Sequence, residues 1–302
     1  MSLPFYIVDV FAERKLSASQ LAVFPQAETL TTEQMQAIAK EMNYSETTFI
    51  LSETPQNEGY PVRIFTPNQE LPFAGHPTLG TAFILQQAVI QESVSTVSLN
   101  LQVGQVPITV TYSGGVIDLL WMRQNTPTFG KQLEREQIAS ALGLNLAQID
   151  DRTPIEEVST GLPFIMVPLK NLAALQQAKV NRDALFKLIE TTEAKAILIF
   201  CPETRSAANH LSVRVFVEAI AGTPEDPATG SANGCLAAYL VQHDYFGQRS
   251  NVKRGASIDI RVEQGYEIGR PSLLLLQAKK EKEAFEISVG GKVILVAKGE
   301  FV

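Results

Sequence analysis

The sequence predicts an α+β fold with largely antiparallel sheets, laid out as two similar halves. Three observations lead there. Short strand-like runs occur along the whole chain, separated by turns and only a few helices. At 302 residues the chain is longer than one ordinary hydrophobic core accommodates. One strand–turn–helix pattern occurs twice, beginning at Arg63 and again at Arg214.

The elements follow in order. Phe5–Phe11 and Gln20–Phe24 read as strands. Thr32–Glu41 has helical spacing, with Thr31 or Thr32 as the N-cap and Glu33 in the first turn. Thr48–Leu51 and Tyr60–Phe65 are strands by their β-branched and aromatic content. His76–Val89 is mostly apolar and too long for a strand, which makes it a buried helix. Val94–Asp118 alternates and is punctuated by Gly104 and Gly114-Gly115, as strands joined by hairpins are. Amphipathic helices are expected over Glu134–Leu142 and Arg182–Glu190, with strands at Phe164–Leu169, Ala196–Phe200 and Leu211–Val217. A second apolar helix runs from Ser231 to His243. The chain then closes with strands near 258–262, 272–278, 285–289 and 293–298.

Composition narrows the function classes. The chain is 45% hydrophobic and 19% charged, with a formal net charge of −7, and its basic residues are scattered. Nucleic acid or an anionic membrane surface would require clustered Lys and Arg, so neither is an expected partner. No window reaches the ~18 apolar residues of a membrane span, and the first residues show no signal-peptide pattern. Two cysteines in unrelated contexts, Cys201 and Cys235, argue against a disulfide framework and point to a reducing cytoplasm. His76, His210 and His243 lie far apart, and no metal site is expected.

The repeated pattern carries the chemistry. Both copies begin Arg-x-Phe, place an acidic residue and a proline before a Gly-containing turn, and continue into a helix of small residues. The second copy has about three extra residues before its turn. A helix N-terminus offers unpaired N–H groups and a partial positive charge, and glycine lets a ligand approach the backbone. Ala74-Gly75-His76 and Thr229-Gly230-Ser231 are therefore candidate carboxylate or phosphate sites. One such turn alone requires no more than a capped helix start; two related turns beside titratable groups point further. His76 can exchange a proton near neutrality. Asp226, just before the second turn, either caps that turn or orients His76 and relays a proton. Glu46, between a helix and an apolar strand, is either a turn residue or a partly desolvated acid/base.

At these residues the chain resembles the PhzF-like, phenazine biosynthesis-like family. The resemblance covers nearly the whole chain and is carried by Asn43–Phe49, Arg63–Gly80, Ser159–Pro168, Asp226–Gly234 and Glu263–Ser272. It implies the diaminopimelate epimerase-like fold: two pseudo-symmetric halves, each a curved, mostly antiparallel β-sheet around a central helix, with the active site in the cleft. Residues 1–117 with 292–302 would form one half and 118–291 the other. The central helices would be His76–Val89 and Ser231–His243.

The resemblance implies that Glu46 is the catalytic acid/base. His76 and Asp226 would assist proton movement and bind substrate with Gly75, Gly230 and Ser231. No cofactor is implied, and a homodimer is expected by analogy. Diaminopimelate epimerases and proline racemases carry a cysteine at each turn; this chain has neither, and Cys235 reads as a buried small hydrophobe. The family's Gly-Asn-Pro turn is replaced by Ser17-Ala18-Ser19-Gln20, where the Gln20 amide is the expected substrate contact.

The implied activity is a cofactor-independent isomerisation of a small carboxylate-bearing substrate. The family's named reaction is isomerisation of trans-2,3-dihydro-3-hydroxyanthranilate. An amino-acid or hydroxy-acid epimerase acting through Glu46 and His76 is the nearest alternative. A non-catalytic small-carboxylate binding protein is the alternative of another class.

Overall fold

The computed structural model describes residues 2–218, 225–250 and 257–302. It divides into two compact units, Met1–Arg123 with Gly290–Val302, and Gln124–Val289.

The first unit opens with β1 (Leu3–Val10), β2 (Ser19–Phe24), α1 (Thr32–Met42), β3 (Thr47–Ile50) and β4 (Tyr60–Phe65). The short β5 (Glu70–Leu71) leads into α2 (Gly75–Ile84), which continues as a π-helical turn over Leu85–Ile90. Then come β6 (Thr96–Leu101), β7 (Gly104–Ser113) and β8 (Val116–Arg123), and β17 (Val293–Phe301) returns from the far end of the chain. The strands run β17-β1-β2-β3-β4-β6-β7-β8. Two antiparallel pairs come first, then β2 and β3 parallel, β3 and β4 antiparallel, β4 and β6 parallel, and two closing antiparallel pairs. Each parallel pair requires a crossover, and the helices supply them: α1 between β2 and β3, α2 between β4 and β6.

α2 touches β17 at one end of this order and β8 at the other, so the sheet wraps around it. The helix is buried on nearly every side, which suits its apolar, small-residue sequence. Gly80 permits the approach: a Cβ there would lie 2.5 Å from Leu21 and 3.0 Å from Val10. α1 covers the outer face through Met35 and Ala39, against Phe24, Phe49 and Phe65. Thr31 is its N-cap, in a capping box with Gln34.

The second unit contains β9 (Thr128–Gln132), α3 (Arg135–Leu142), β10 (Glu156–Ser159), β11 (Pro163–Pro168), α4 (Leu172–Gln177) and α5 (Arg182–Ile189). It continues through β12 (Ile197–Cys201), β13 (Leu211–Phe216), α6 (Gly230–Gln242), α7 (Tyr245–Ser250), β14 (Ser257–Gln264), β15 (Ser272–Glu281) and β16 (Ala284–Gly291). From β9 to β15 the pairings repeat those of the first unit: antiparallel, antiparallel, parallel, antiparallel, parallel, antiparallel. α4 and α5 fill the first crossover and α6 the second. α6 packs against β10, β11, β14 and β15, while α3, α4 and α5 cover the other face with Ile138, Leu142, Leu175, Leu185 and Leu188. Both units are thus mixed α+β, a curved sheet around one buried helix, as the sequence predicts.

Details differ from the sequence reading. The apolar helix from His76 is α-helical only to Ile84, and its last six residues widen into the π-helical turn. β9 and β10 were not expected, because each is short and mixes charged with apolar residues. The extra length before the second turn is four residues: four separate Phe65 from Glu70, and eight separate Phe216 from Glu225. Part of that stretch, 219–224, lies outside the described residues.

Candidate active site

The shared Arg-x-Phe grammar has a physical cause. In the first unit Arg63 forms a two-pronged pair with Glu70, Nε to Oε1 at 2.7 Å and Nη2 to Oε2 at 2.6 Å, and its guanidinium lies 5.0 Å from the Phe65 ring centre. Its remaining nitrogen donates to Thr32 of α1 at 3.0 Å. In the second unit Arg214 repeats this with Glu225, at 3.1 and 2.7 Å, and lies 4.8 Å from Phe216. Its third nitrogen donates to the carbonyls of Leu175 and Ala178 at the end of α4. Each arginine ties the strand before the turn to the crossover helix and to the turn's glutamate, in the planar fork that guanidinium and carboxylate share. From each glutamate to the helix-opening glycine the spacing is equal, Glu70 to Gly75 and Glu225 to Gly230.

At the first turn α2 begins with Gly75, and its first internal backbone bond runs from Thr78 N–H to the Ala74 carbonyl. Pro77 has no N–H, so the donors that this helix end leaves outside its ladder are those of Gly75 and His76. The His76 side chain is buried, and its Nε2 lies 3.2 Å from Oε2 of Glu46. The two side chains are only 8% and 16% exposed, and the angles fall short of a hydrogen bond.

The packing of β3 on α2 brings this pair near each other. Thr48 on β3 meets Thr81 on α2, hydroxyl to hydroxyl at 2.8 Å. Glu46 lies just before β3, and His76 lies in the first turn of α2.

The His76 ring donates to the backbone carbonyl of Gln20. Since Nε2 faces Glu46, Nδ1 makes that bond, and in the neutral ring Nε2 carries the lone pair. Burial pushes the His76 pKa down to about 4, with the Gln20 bond opposing it. Burial is the leading cause. Near neutral pH the ring is therefore neutral, and its Nε2 faces the Glu46 carboxyl group at 3.2 Å. Gln20 itself enters through its backbone; its side chain, expected as a substrate contact, is exposed on β2. In the turn before it Ala18 is buried at a φ of 56°, a left-handed conformation that glycine adopts without cost.

At the second turn Gly230 opens α6 and Thr229 precedes it as the N-cap. The first internal bond runs from Asn233 N–H to the Thr229 carbonyl, which leaves the N–H groups of Gly230, Ser231 and Ala232 outside the helical ladder. The Ser231 side chain is half-buried. Asp226 is also half-buried. Burial raises its pKa, a hydrogen bond from Thr229 opposes this, and the charge of Glu225 adds to the rise. Glu46, His76, Gly75 and Gln20 thus gather in the first unit, and Asp226, Gly230 and Ser231 in the second.

Neither turn bears a thiol. Cys235 is buried in α6, 3.6 Å from the Thr160 hydroxyl, and burial pushes its pKa up to about 11. Cys201 is likewise buried and pushed up to about 11. Both are protonated near neutral pH. Among the described residues no group of three His, Cys, Asp or Glu side chains is placed to hold a metal ion. None of the described helices is long and apolar enough to cross a membrane.

A doubled sheet-and-helix ladder that offers a helix end, a buried acid and a histidine suits an isomerase or epimerase. Comparison with known proteins places the chain more closely. Residues 8–299 match the model of the phenazine biosynthesis-like protein family, PhzC-PhzF, and the chain belongs to that family. It is 35% identical to a trans-2,3-dihydro-3-hydroxyanthranilate isomerase of Pseudomonas chlororaphis, over 99% of each chain. It is 34% identical to an uncharacterized isomerase of Pasteurella multocida, over 98% of this chain and 93% of that one. A phenazine biosynthesis protein of the PhzF family from Bacillus anthracis superposes with a TM-score of 0.89 at 28% identity, covering 100% and 99% of the two chains. A probable proline racemase from Agrobacterium radiobacter shares the fold alone, with a TM-score of 0.62 at 10% identity, over 99% of this chain and 93% of that one. The protein is an isomerase of this family.

Proposed function

We propose that the chain is a cofactor-independent isomerase that moves a proton on a small carboxylate-bearing substrate, with Glu46 as the acid/base. One observation carries this reading: the buried contact between Glu46 and His76, in which Gln20 sets the ring's tautomer and the neutral ring faces the carboxyl group. Glu46 takes a proton from an activated carbon and returns it at a conjugated position, in a setting where water competes little for the charge. The N–H groups of Gly75 and His76 receive the substrate's carboxylate and the negative charge that develops as the proton leaves. His76 takes up or yields the proton that Glu46 exchanges. The reading assigns Asp226, Gly230 and Ser231 to substrate binding and proton relay as well.

Relatives at 35% identity are named as trans-2,3-dihydro-3-hydroxyanthranilate isomerases, so that compound is the first substrate to test. Incubated with the protein in deuterium oxide, it should isomerise and carry solvent deuterium at the position that receives the proton. A panel of small carboxylates that binds and raises the melting temperature, yet exchanges no deuterium, would mark a binding protein instead.

A further inference from the structure

The turn before α6 is held by a hydrogen-bond network that the turn before α2 lacks. Gln264, at the end of β14, is 1% exposed and uses its whole amide. Its oxygen accepts from the backbone N–H of Thr229 at 3.3 Å and from the Asn233 side chain at 2.8 Å. Its nitrogen donates to the Asp226 carbonyl at 2.8 Å and to the Thr229 hydroxyl at 3.1 Å. The amide cannot be turned over, since N–H groups can only donate to it and the Asp226 carbonyl can only accept. The Thr229 hydroxyl must then accept from Gln264. Its own hydrogen is left for Asp226, whose Oδ2 lies 2.5 Å away.

Equal spacing makes Leu71 and Ala74 the counterparts of Asp226 and Thr229. The first turn forms with neither a carboxylate nor a hydroxyl at those places, so the fold does not require the network. Two further features hold Gln264 in place. Gly265 has a φ of 78° and packs so closely on the carbonyls of Arg270 and Pro227 that a Cβ would collide with both. Ser272, opposite Gln264 in the sheet, donates to the Pro227 carbonyl at 2.5 Å.

We infer that Gln264 and Thr229 are positioning residues for Asp226: the Gln264 amide aims the Thr229 hydroxyl at the Asp226 carboxylate and holds that carboxylate as an acceptor. This rests on the assignment of Asp226 to substrate binding or proton relay. Charged groups on the surrounding elements are Glu225 on the turn, Arg214 on β13, Glu263 on β14 and Arg270 at the entry to β15. Glu225 is engaged by Arg214, and Glu263 by Arg205. None of these is altered in the test.

The test is carbon-13 NMR titration of the Asp226 carboxyl group, which needs no substrate. In Thr229→Val the midpoint should move up by about one pH unit, a tenfold gain in proton affinity, because a hydrogen bond to the charged form is lost. Thr229→Ser should titrate as the wild type does. Gln264→Met should raise the midpoint alone but add nothing in the Thr229→Val background. Should Gln264→Met fail to fold, the wild type decides its part: slow exchange of both Gln264 amide protons supports the network, and fast exchange overturns it. Equal midpoints in the wild type and Thr229→Val, or equal shifts in Val and Ser, overturn the inference. On a turned-over substrate, Thr229→Val should lower kcat about tenfold with little change in KM. Absence of wild-type turnover would count against the isomerase reading and leave the titration result standing.

Discussion

Glu46 and His76 each have a place that their neighbours dictate. Glu46 lies at the entry to β3, the strand that packs on α2 through Thr48 and Thr81, and His76 is pinned by Gln20 on one side of its ring. A neutral, buried histidine has a consequence for stability. Above its ordinary pKa of 6.5 the ring is neutral in both folded and unfolded chains and contributes no pH dependence. Between 6.5 and about 4 the unfolded chain takes up a proton that the folded chain refuses, so stability falls as pH falls. That gap corresponds to about 3 kcal/mol. Chemical denaturation of the wild type should show a loss of this order over that range, and His76→Gln should remove it. Of these residues, His76 and Gly75 were legible in the sequence because a Gly-containing turn precedes an apolar run. Glu46 was legible only through family resemblance, since nothing local separates it from a helix-end glutamate. The pairing of Gln264 with Thr229 was not legible: the two meet across 35 residues, through a sheet register that no short-range pattern records.

At the scale of elements, the two Arg–Glu forks are one device at two depths. Arg214 and Glu225 are 10% and 4% exposed, whereas Arg63 and Glu70 are 24% and 21% exposed. Removing one partner of a buried pair strands the other charge at low dielectric and costs about 3–5 kcal/mol. Arg214→Met should therefore destabilise the protein by about that much. Arg63→Met, whose glutamate can still reach water, should cost about 1 kcal/mol. Equal losses on denaturation would show that the forks do not differ in this way. The repeat of Arg, Phe, acid and Gly was visible in the sequence, but only as grammar; the fork and the ring beneath it give it a cause. Long periodic elements such as α1, α2 and α6 were legible from spacing and caps. β9 and β10 were not, because their stability comes from ladder partners rather than from their own composition.

Over the whole molecule, the same pairing order occurs twice while the chemistry does not. The fold repeats a strand ladder, a crossover helix and a glycine at the head of the second helix in each unit. The residues at corresponding places diverge: His76 against Ser231, Leu71 against Asp226, and Glu46, just before β3, against Ala196, just before β12. The fold supplies two helix ends, and the first has a histidine facing a buried carboxyl group. Proton abstraction is therefore assigned to Glu46, with Asp226 in the relay. The most direct test of that assignment is turnover by Glu46→Gln, which preserves shape and removes the titrating proton. The melting temperature should stay within a few degrees of the wild type's, and kcat should fall about 10²–10⁴-fold on the substrate that the wild type isomerises. Wild-type turnover by the folded Glu46→Gln protein would contradict the assignment.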